Sequence, residues 1–414
     1  MRSQAGKVQI RSQDSVSVDG FGRWRVSNPI TLFDSQQQYG DNALLWGTDT
    51  SGTGSVANRL TEASVRLSTG GTASGAYAYR ESRTHFRYQP GKCQLAESTY
   101  VMSAPQTGTR QRIGLFDSYN GMFLQQTVAG LSLVLRSSTS GVPVDISVAR
   151  DDWSEDKFDG QGPSGLVLET LAGQILWFDF QWLGLGRVRC GFNIDGVPHI
   201  AHEFKHANVS SLVYMTSANL PFRAEVQNTA AAGGIVYLDQ VCCSIQSEGG
   251  FEAERGLPFT ANTGSGLVAV TTRRPLLSVR AKLLGPNGVI NTGQIMPESG
   301  KVLAEDASCL VELVRNATLT GASWTNVNAS HSLAESDISA TAVSGGHVIE
   351  SFGVGAGSLG SASIPGSGST SEFSRLPLVR AGLGTPQQDT LTVVATSTSG
   401  TCNALAAVNW KELY

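Results

Sequence analysis

The segment 187–204, RVRCGFNIDGVPHIAHEF, constrains the fold of this chain more than any other. Between residues 188 and 194, apolar side chains alternate with polar residues or glycine, which is the period of a half-buried β-strand. Asp195 and Gly196 then supply the two positive-φ positions of a type I′ turn, and a second strand follows. The segment therefore predicts a β-hairpin with a two-residue turn.

The same pattern of short alternating runs and turn residues recurs along the chain, with almost no helical periodicity. Strands at this spacing suit a jelly roll or another β-sandwich. A Gly-, Glu- and Pro-rich stretch interrupts the pattern and indicates a connection between domains. We therefore expect an all-β protein with four parts: an N-terminal attachment arm (1–40), a jelly-roll sandwich (41–248), a linker (249–266) and a C-terminal β-sandwich (267–414).

Composition narrows the class of protein. The chain has 414 residues, of which 40% are hydrophobic and 15% charged, and its formal net charge is −4. Such a mild charge does not favour a nucleic-acid partner or an anionic membrane surface. The longest apolar runs are far shorter than a bilayer span, and the N-terminus lacks the apolar core of a signal peptide. We expect the chain to fold in a cytosol, or to reach the outside when a particle is released by lysis.

The six cysteines contain no CxxC pair and are expected to be scattered buried thiols. Cys242 and Cys243 are adjacent in a strand-like run. Because successive side chains of a strand face opposite sides, one of the two should face the core and the other should not.

Several segments together resemble a family of tailed-bacteriophage virion proteins. They include DGFGRWRVSNPITLFDSQQQY (19–39), WLGLGRVRCGFNIDGVPHIAHEFKHAN (182–208), VYMTSANLPFRAEVQN (213–228) and DTLTVVATSTSGTCNALAAVNWKE (389–412), together with CSIQSEGG (243–250) and NATLTGASWTNVNASHSLAE (316–335). None of them is a catalytic motif, and they span nearly the whole chain. The resemblance implies a virion component, variously of the tail, a fibre or the capsid surface. It also implies a lectin-like, concanavalin-type jelly roll in the middle domain.

The run His202-Glu203-Phe204-Lys205-His206 matches HExxH, the helix-borne zinc motif of metalloproteases, with His199 or Glu225 as a third ligand. The run follows a hairpin turn, and no amphipathic helix flanks it. On a strand, residues i and i+4 lie about 13 Å apart, which is too far to chelate one zinc ion. We expect a histidine cluster on a surface strand.

The acidic loop at 151–165 offers a second candidate site. Asp151, Asp152, Glu155 and Asp156 could bind calcium, which prefers several carboxylate oxygens, although their spacing is not that of an EF-hand. The alternatives are a solvated acidic loop or, less favoured, a glycosidase pair of carboxyl groups.

Three tryptophans are candidate contact residues. Trp46 and Trp153 lie in polar segments, where an exposed ring could stack on a sugar. Trp410 lies in the apolar C-terminal run ALAAVNWKELY, which no polar tail follows. Such a terminus is expected to be covered by another element, in the same subunit or in a neighbour, so Trp410 is a candidate for an oligomer interface.

These observations predict a virion structural protein that forms or carries an external appendage, such as a tail fibre, tail tip or head fibre. We expect a homo-oligomer, with a trimer as the leading expectation, and contacts to other virion proteins through the N-terminal arm. No enzyme activity, cofactor or membrane insertion is expected. Two alternatives remain: recognition of a host-surface glycan by the central sandwich, and a glycan-degrading or metal-dependent hydrolase.

Overall fold

The computed structural model describes residues 18, 29–248, 256–363, 377–381 and 387–413. The fold in these ranges is all-β, as the sequence predicts, and consists of antiparallel sheets. The only helical elements there are two single 3-10 turns, Leu60–Glu62 and Arg150–Asp152. Neither is long or apolar enough to cross a membrane.

The first unit is a jelly-roll sandwich. Its strands in chain order are β1 (Ile30–Gln36), β2 (Trp46–Ser51), β3 (Ser55–Arg59), β4 (Ser64–Ser68), β5 (Tyr77–Ser82), β6 (Cys93–Met102), β7 (Thr109–Phe116), β8 (Gly121–Thr127), β9 (Gly130–Ser137), β10 (Val144–Ala149), β11 (Gln174–Phe180), β12 (Val188–Ile194), β13 (Val197–Phe204), β14 (Phe222–Asn228) and β15 (Tyr237–Glu248).

Two sheets form this sandwich. The eight-stranded sheet runs β13-β12-β11-β6-β15-β4-β3, and β1 pairs with β15 beside β4. The seven-stranded sheet runs β10-β9-β8-β7-β14-β5-β2. Alternate apolar side chains of both sheets point inward and form one continuous core, which includes Leu67, Ile113, Phe178 and Phe222. Burial of these side chains drives the two sheets together.

The predicted hairpin at 187–204 is confirmed. It consists of β12 and β13, and Ile194 pairs with Val197 across the turn. Asp195 has φ 52° and Gly196 has φ 77°, as a type I′ turn requires. The prediction that Cys242 and Cys243 face opposite sides of their strand is also confirmed. Cys243 lies in the core, whereas Cys242 is only half-buried and contacts Thr99.

The predicted attachment arm at 1–40 extends too far into the chain. Strand β1 is part of the first sandwich, because it pairs with β15 from Ile30 to Gln36. Phe33 joins the core, and Gln37 is buried just beyond the strand. The polar composition of this segment concealed a strand that alternates between the core and solvent. Most of residues 1–28 lie outside the described ranges.

The second unit is also a β-sandwich. Its strands are β16 (Leu257–Asn262), β17 (Val268–Val270), β18 (Arg274–Ala281), β19 (Gln294–Glu305), β20 (Cys309–Arg315), β21 (Thr318–Thr320), β22 (Thr325–Asn326), β23 (Ala334–Asp337), β24 (Ala342–Ser344), β25 (His347–Val354), β26 (Ser358–Ser363), β27 (Arg380–Ala381), β28 (Gln387–Gln388), β29 (Thr390–Ser397) and β30 (Cys402–Leu413).

Two larger sheets enclose the core of this second unit. One contains β16, β30, β19 and β26, and β17 pairs with a further part of β30; the other runs β22-β23-β18-β29-β20-β25. The predicted linker at 249–266 is therefore too long. Its part from Leu257 to Asn262 is strand β16, which pairs with β30. Residues 249–255 lie outside the described ranges.

Trp410 lies inside the second sandwich and is only 1% exposed. Its ring stacks on that of Phe259, and its Nε1 donates a hydrogen bond of 2.9 Å to Oε1 of Glu412. The apolar C-terminal strand is thus covered by its own chain, since β30 lies between β16 and β19. Trp410 is a core residue, which corrects its assignment to an oligomer interface.

Buried polar groups join the two sandwiches. Asp389, which is fully buried, accepts hydrogen bonds from Arg83 of the first unit at 2.5 Å and from Arg315 of the second at 2.6 Å. Nearby, Nε2 of Gln294 donates to the carbonyl oxygen of His85 at 2.6 Å. A carboxylate shared by two guanidiniums is strongly directional, so these contacts fix one orientation of the sandwiches.

Candidate functional site: an arginine-lined cleft

The outer face of the seven-stranded sheet carries an open cleft of about 390 Å³. Tyr79 lies at one side of it, and Ser118 and Pro143 lie in loops at its rim. Four guanidiniums and two carboxylates make up the rest of its polar wall. This arginine cleft is lined by Arg110 and Arg112 of β7, Arg136 of β9, Asp145 of β10, and Arg223 and Glu225 of β14.

Strand alternation brings these residues to one face. Ile113 and Leu115 of β7 point into the core, so Arg110 and Arg112 point outward. The antiparallel register then sets oppositely charged residues side by side. Directly opposed pairs on neighbouring strands are Arg112 and Glu225, Arg136 and Asp145, and Arg223 and Glu81.

Aromatic rings form a floor beneath the guanidiniums. Phe116 and Phe123 are fully buried, with ring centroids 4.4 Å apart, although they lie on the face away from the main core. Each is paired across strands with a glycine: Phe116 with Gly121, and Phe123 with Gly114. A Cβ atom at either glycine would overlap the backbone of the partner strand. The glycines therefore permit the close approach of these two strands under the rings.

Three guanidiniums lie over this floor. The guanidinium carbon of Arg112 is 4.8 Å from the centroid of Phe123, and that of Arg136 is 5.2 Å from the same ring. The guanidinium carbon of Arg223 is 5.4 Å from the centroid of Phe116 and 4.6 Å from that of Tyr79. Stacking of this kind favours the cation and restricts its motion, so the charged groups are held in place before any ligand arrives.

Ion pairs hold the same groups from the side. Glu225 contacts Arg223 at 2.9 Å, Arg112 at 3.3 Å and Arg110 at 3.9 Å. Asp145 contacts Arg136 at 2.7 Å and Arg112 at 3.3 Å. The network fixes the wall of the cleft, because each carboxylate is held by more than one guanidinium.

The arginines also set the pKa values of the carboxyl groups. Burial alone would raise the pKa of Glu225, but the positive charges of Arg223, Arg112, Arg110 and Arg136 hold it below its usual value. At Asp145 burial is likewise outweighed, chiefly by Arg136, and the pKa is lowered. Both cleft carboxyl groups are therefore ionised at neutral pH.

The pKa values of two further groups in this network are shifted mainly by burial. Glu81 lies behind Arg223, and burial raises its pKa to about 7 despite the ion pair of 3.4 Å. Burial lowers the pKa of Arg112 to about 10, so that this guanidinium remains a cation at neutral pH. Four cations thus face two full negative charges in the cleft and a third carboxyl group that is partly protonated.

The tryptophans predicted as sugar platforms lie elsewhere, in the core. Trp46 is 2% exposed, and its Nε1 donates to Oγ of Ser35 at 2.9 Å. The guanidinium of Arg80 lies 4.6 Å above its ring. Trp153 is 3% exposed and packs against Phe158. Neither ring is accessible to a ligand, because each one fills a space between strands.

The acidic loop does not assemble a metal site. Asp151, Asp152 and Glu155 are exposed, whereas Asp156 is buried and turns back into its own loop. It accepts hydrogen bonds from the backbone N–H groups of Phe158 at 2.8 Å and Ser164 at 2.9 Å. Within the described ranges, no three His, Cys, Asp or Glu residues are grouped so as to hold a metal ion.

The HExxH run begins on strand β13, as the sequence predicts, but the strand ends at Phe204, and both histidines are buried rather than on the surface. The Nδ1 atom of His202 accepts a hydrogen bond from the backbone of Ser154 at 3.1 Å. His206 is 2.7 Å from the carbonyl oxygen of Gly186 and stacks on Tyr214. Burial lowers the pKa of both histidines. Their nitrogens serve the structure rather than a shared metal.

Sequence reasoning missed the arginine cleft. Its residues come from five strands that span residues 77–228, and no short motif joins them. The segments RQRIGLF and FRAEVQ show alternating charge, which is also typical of any solvated sheet face. The sequence feature that could have indicated the cleft is the use of arginine rather than lysine in these segments, since arginine is preferred where planar anions are bound.

Comparison with known proteins finds distant structural likenesses. No protein-family model and no curated protein matches the chain. Among solved structures it is similar to a carbohydrate esterase of the Shiga toxin-encoding bacteriophage phi24B (11% identity, 54% of this chain and 100% of that chain, TM-score 0.32) and a legume lectin-like domain from Entamoeba histolytica (9%, 55% and 100%, 0.31). A glycoside hydrolase family protein from Mycobacterium thermorestibile is also similar (8%, 52% and 99%, 0.36). Likenesses this distant say nothing about what the chain binds or catalyses.

Proposed function

We propose that the protein is a structural component of a tailed-bacteriophage virion, and that its first sandwich binds a host-surface saccharide in the arginine cleft. The observation that carries the binding role is the cleft itself: an open site walled by prearranged donors and acceptors over an aromatic floor. Small-ligand sites in proteins are commonly concave and pre-formed, with a few fixed polar groups. The sequence resemblance supports the virion role.

Binding rather than bond cleavage is proposed on electrostatic grounds. Hydrolysis of a glycosidic bond needs a protonated carboxyl group and a second carboxyl group across the scissile bond. Asp145 and Glu225 line the cleft, but arginines lower the pKa of both, so neither is a proton donor at neutral pH. Glu81 has a pKa of about 7 but does not line the cleft.

The binding role can be tested with purified protein and labelled surface polysaccharide from the host. We expect retention of the polysaccharide by the wild-type protein, a large loss with Arg110→Gln, and no release of reducing ends during the incubation. Failure of the wild-type protein to retain any host polysaccharide would refute the binding role. Release of reducing ends that is abolished by Glu225→Gln would replace binding with hydrolysis.

The virion role can be tested by labelling the protein on intact particles and imaging them. We expect label on an external appendage, in several copies at each position. We further propose a homo-oligomer, with a trimer as the leading expectation, attached to other virion proteins through residues N-terminal to β1. Particles that carry no label after full assembly would contradict the structural role.

The proposed oligomer would form through a surface that excludes Trp410, because Trp410 is buried. Strand β10 is an edge of the seven-stranded sheet and exposes Val144 and Ile146, whose exposed fractions are 47% and 51%. Exposed apolar edge strands readily pair with another chain. Sedimentation of the wild-type protein and of Ile146→Lys would show whether this edge contributes to the oligomer.

A further inference from the structure

Arg110 is the most accessible guanidinium of the arginine cleft. Its side chain is 29% exposed, against 6% for Arg112 and 7% for Arg223. One of its terminal nitrogens donates to Oε1 of Gln227, whereas its Nε has no hydrogen-bond partner. The Nε of Arg223 is also without one. Both Nε atoms are buried, so the exposed end of the Arg110 guanidinium, rather than its Nε, is the part that a ligand can reach.

The cleft carries more positive than negative charge. Four guanidiniums line it, against the two ionised carboxylates of Asp145 and Glu225, and Glu81 behind Arg223 is partly protonated at neutral pH. An anion that enters the cleft would receive hydrogen bonds from charged donors, which are the strong ones.

Hydrogen-bond acceptors lie beside the guanidiniums of the cleft. Glu225 and Asp145 both line the cleft and are ionised. Sulfate offers these carboxylates no hydrogen-bond donor, and hydrogen phosphate offers one hydroxyl. A carboxylated sugar presents a planar carboxylate for a guanidinium and hydroxyl groups that can donate to carboxylates. The wall of guanidiniums and carboxylates therefore matches a carboxylated sugar better than a phosphate or sulfate group.

We propose that the arginine cleft selects an acidic sugar, in which Arg110 binds the carboxylate of a uronic acid or a similar unit and Glu225 or Asp145 accepts from its hydroxyls. This inference rests on the saccharide-binding function proposed above and adds the chemical class of the ligand. Arg112, Arg136 and Arg223 hold the carboxylates of Glu225 and Asp145 in place and add positive charge to the cleft.

The probe for this inference is one polysaccharide in two forms. A glucuronic acid-containing oligosaccharide and the same chain after carboxyl reduction differ only in charge and in the carboxylate oxygens. We expect the acidic form to bind at least roughly tenfold more tightly, since a hydrogen-bonded charge contributes about 1.5–3 kcal/mol. Higher salt should narrow the difference between the two forms.

Two variants and a matched control locate the site. Arg110→Gln should weaken binding of the acidic form by roughly 10- to 100-fold and leave the reduced form unchanged. Arg110→Lys keeps the charge but loses the planar fork, so its loss should be smaller. Arg66→Gln is the control: Arg66 is 30% exposed, ion-paired to Asp239 and stacked on Tyr237, but it lies on the other sheet. It should bind like the wild-type protein.

The outcomes separate this inference from the function on which it rests. If both forms of the saccharide bind equally and Arg110→Gln has no effect on either, the acidic-sugar inference fails while saccharide binding stands. If neither form nor any host polysaccharide binds, both proposals fail. Inorganic phosphate or poly-glutamate that competes at the concentration of the acidic saccharide would also overturn the inference, because the site would then select charge and not an acidic sugar.

Discussion

Single residues set how closely the strands approach, and Gly191 shows this most clearly. It pairs with Trp177 on the adjacent strand, and a Cβ atom there would overlap the Trp177 ring and the carbonyl oxygen of His199. Gly191→Ala should therefore lower the free energy of unfolding by about 1–3 kcal/mol, as overpacking usually does. Thermal or denaturant unfolding measures the change.

A control for this substitution is available in the same sandwich. At Gly173 a Cβ atom would meet only a methyl group of Val101, at 3.8 Å, which is an ordinary contact. Gly173→Ala should leave the unfolding midpoint nearly unchanged. Equal stability of Gly191→Ala and Gly173→Ala would show that the ring of Trp177 does not lie over the glycine.

The buried ring of His85 predicts a pH dependence of stability. Burial lowers its pKa from 6.5 to about 4, with a smaller contribution from the nearby charge of Arg380, while Asp117 acts in the opposite direction. Between these two pH values the unfolded chain binds a proton that the folded protein excludes. His85 by itself should therefore lower stability by about 1–3 kcal/mol as the pH falls from about 6.5 to about 4, whereas Glu81, whose pKa burial raises to about 7, acts in the opposite direction over much of that range.

Denaturant unfolding across this pH range tests the prediction. His85→Gln removes the titrating ring, so the stability of the wild-type protein should fall relative to that of this variant as the pH falls from 6.5 to 4. His347→Gln, which alters an exposed histidine, should keep the pH dependence of the wild-type protein. An identical slope in the wild-type protein and His85→Gln would assign the pH dependence to other groups.

At the scale of the element, the turn between β12 and β13 fixes the register of its hairpin. Gly196 has φ 77°, and the space around its missing Cβ is open, so the backbone conformation alone disfavours a side chain. Gly196→Val should lower stability by roughly 1–3 kcal/mol. Gly196→Asn should be tolerated better, because asparagine adopts positive φ more readily. Unchanged thermal stability of the valine variant would contradict the turn type.

Strand β1 decides how the N-terminus can be shortened. Removal of residues 1–40 deletes Phe33 from the core. It also deletes the hydrogen-bond acceptors that Ser35 offers to Nε1 of Trp46 and Gln37 offers to the buried Arg80. A chain that begins at residue 29 keeps all three. The chain without residues 1–40 should be less stable than the chain that begins at residue 29, by about 3 kcal/mol or more. Both truncations should fail to enter particles if the preceding residues attach the protein.

Comparison of the two truncated chains separates folding from attachment. Urea unfolding reports the stability difference, and incorporation into particles reports attachment. Normal incorporation of the chain that begins at residue 29 would refute the proposed arm. Equal stability of the two chains would place β1 outside the folding unit.

At the scale of the whole molecule, Asp389 joins the two sandwiches. Asp389→Asn removes the negative charge that Arg83 and Arg315 share, and breaking a buried ion pair commonly costs about 3–5 kcal/mol. We expect lower stability and two separate unfolding transitions in calorimetry. Glu312→Gln, which breaks the more exposed pair with Arg273, should change stability by less than about 1 kcal/mol. A single wild-type transition in Asp389→Asn would show that other contacts join the units.

The all-β class, the two sandwiches and the hairpin at Asp195 and Gly196 could all be predicted from the amino-acid sequence. Each of these follows from information that is local in the chain. A two-residue alternation assigns a strand, and positive φ at Gly196 assigns a turn, whatever lies nearby. The strand context of His202 followed in the same way, although His206 lies beyond the end of that strand.

Which side chains meet could be known from the tertiary packing and not from any local pattern. A sequence shows that Trp46 lies in a polar segment, but the packing of β1 and Arg80 around it makes it a core residue. Trp410 is covered by β16 of its own chain because β30 is an inner strand, and no local pattern distinguishes an inner strand from an edge. The arginine cleft depends on cross-strand register over about 150 residues of chain. Register between distant strands is set by the packing of the whole sandwich, so this site could be recognised only once the sheet was assembled.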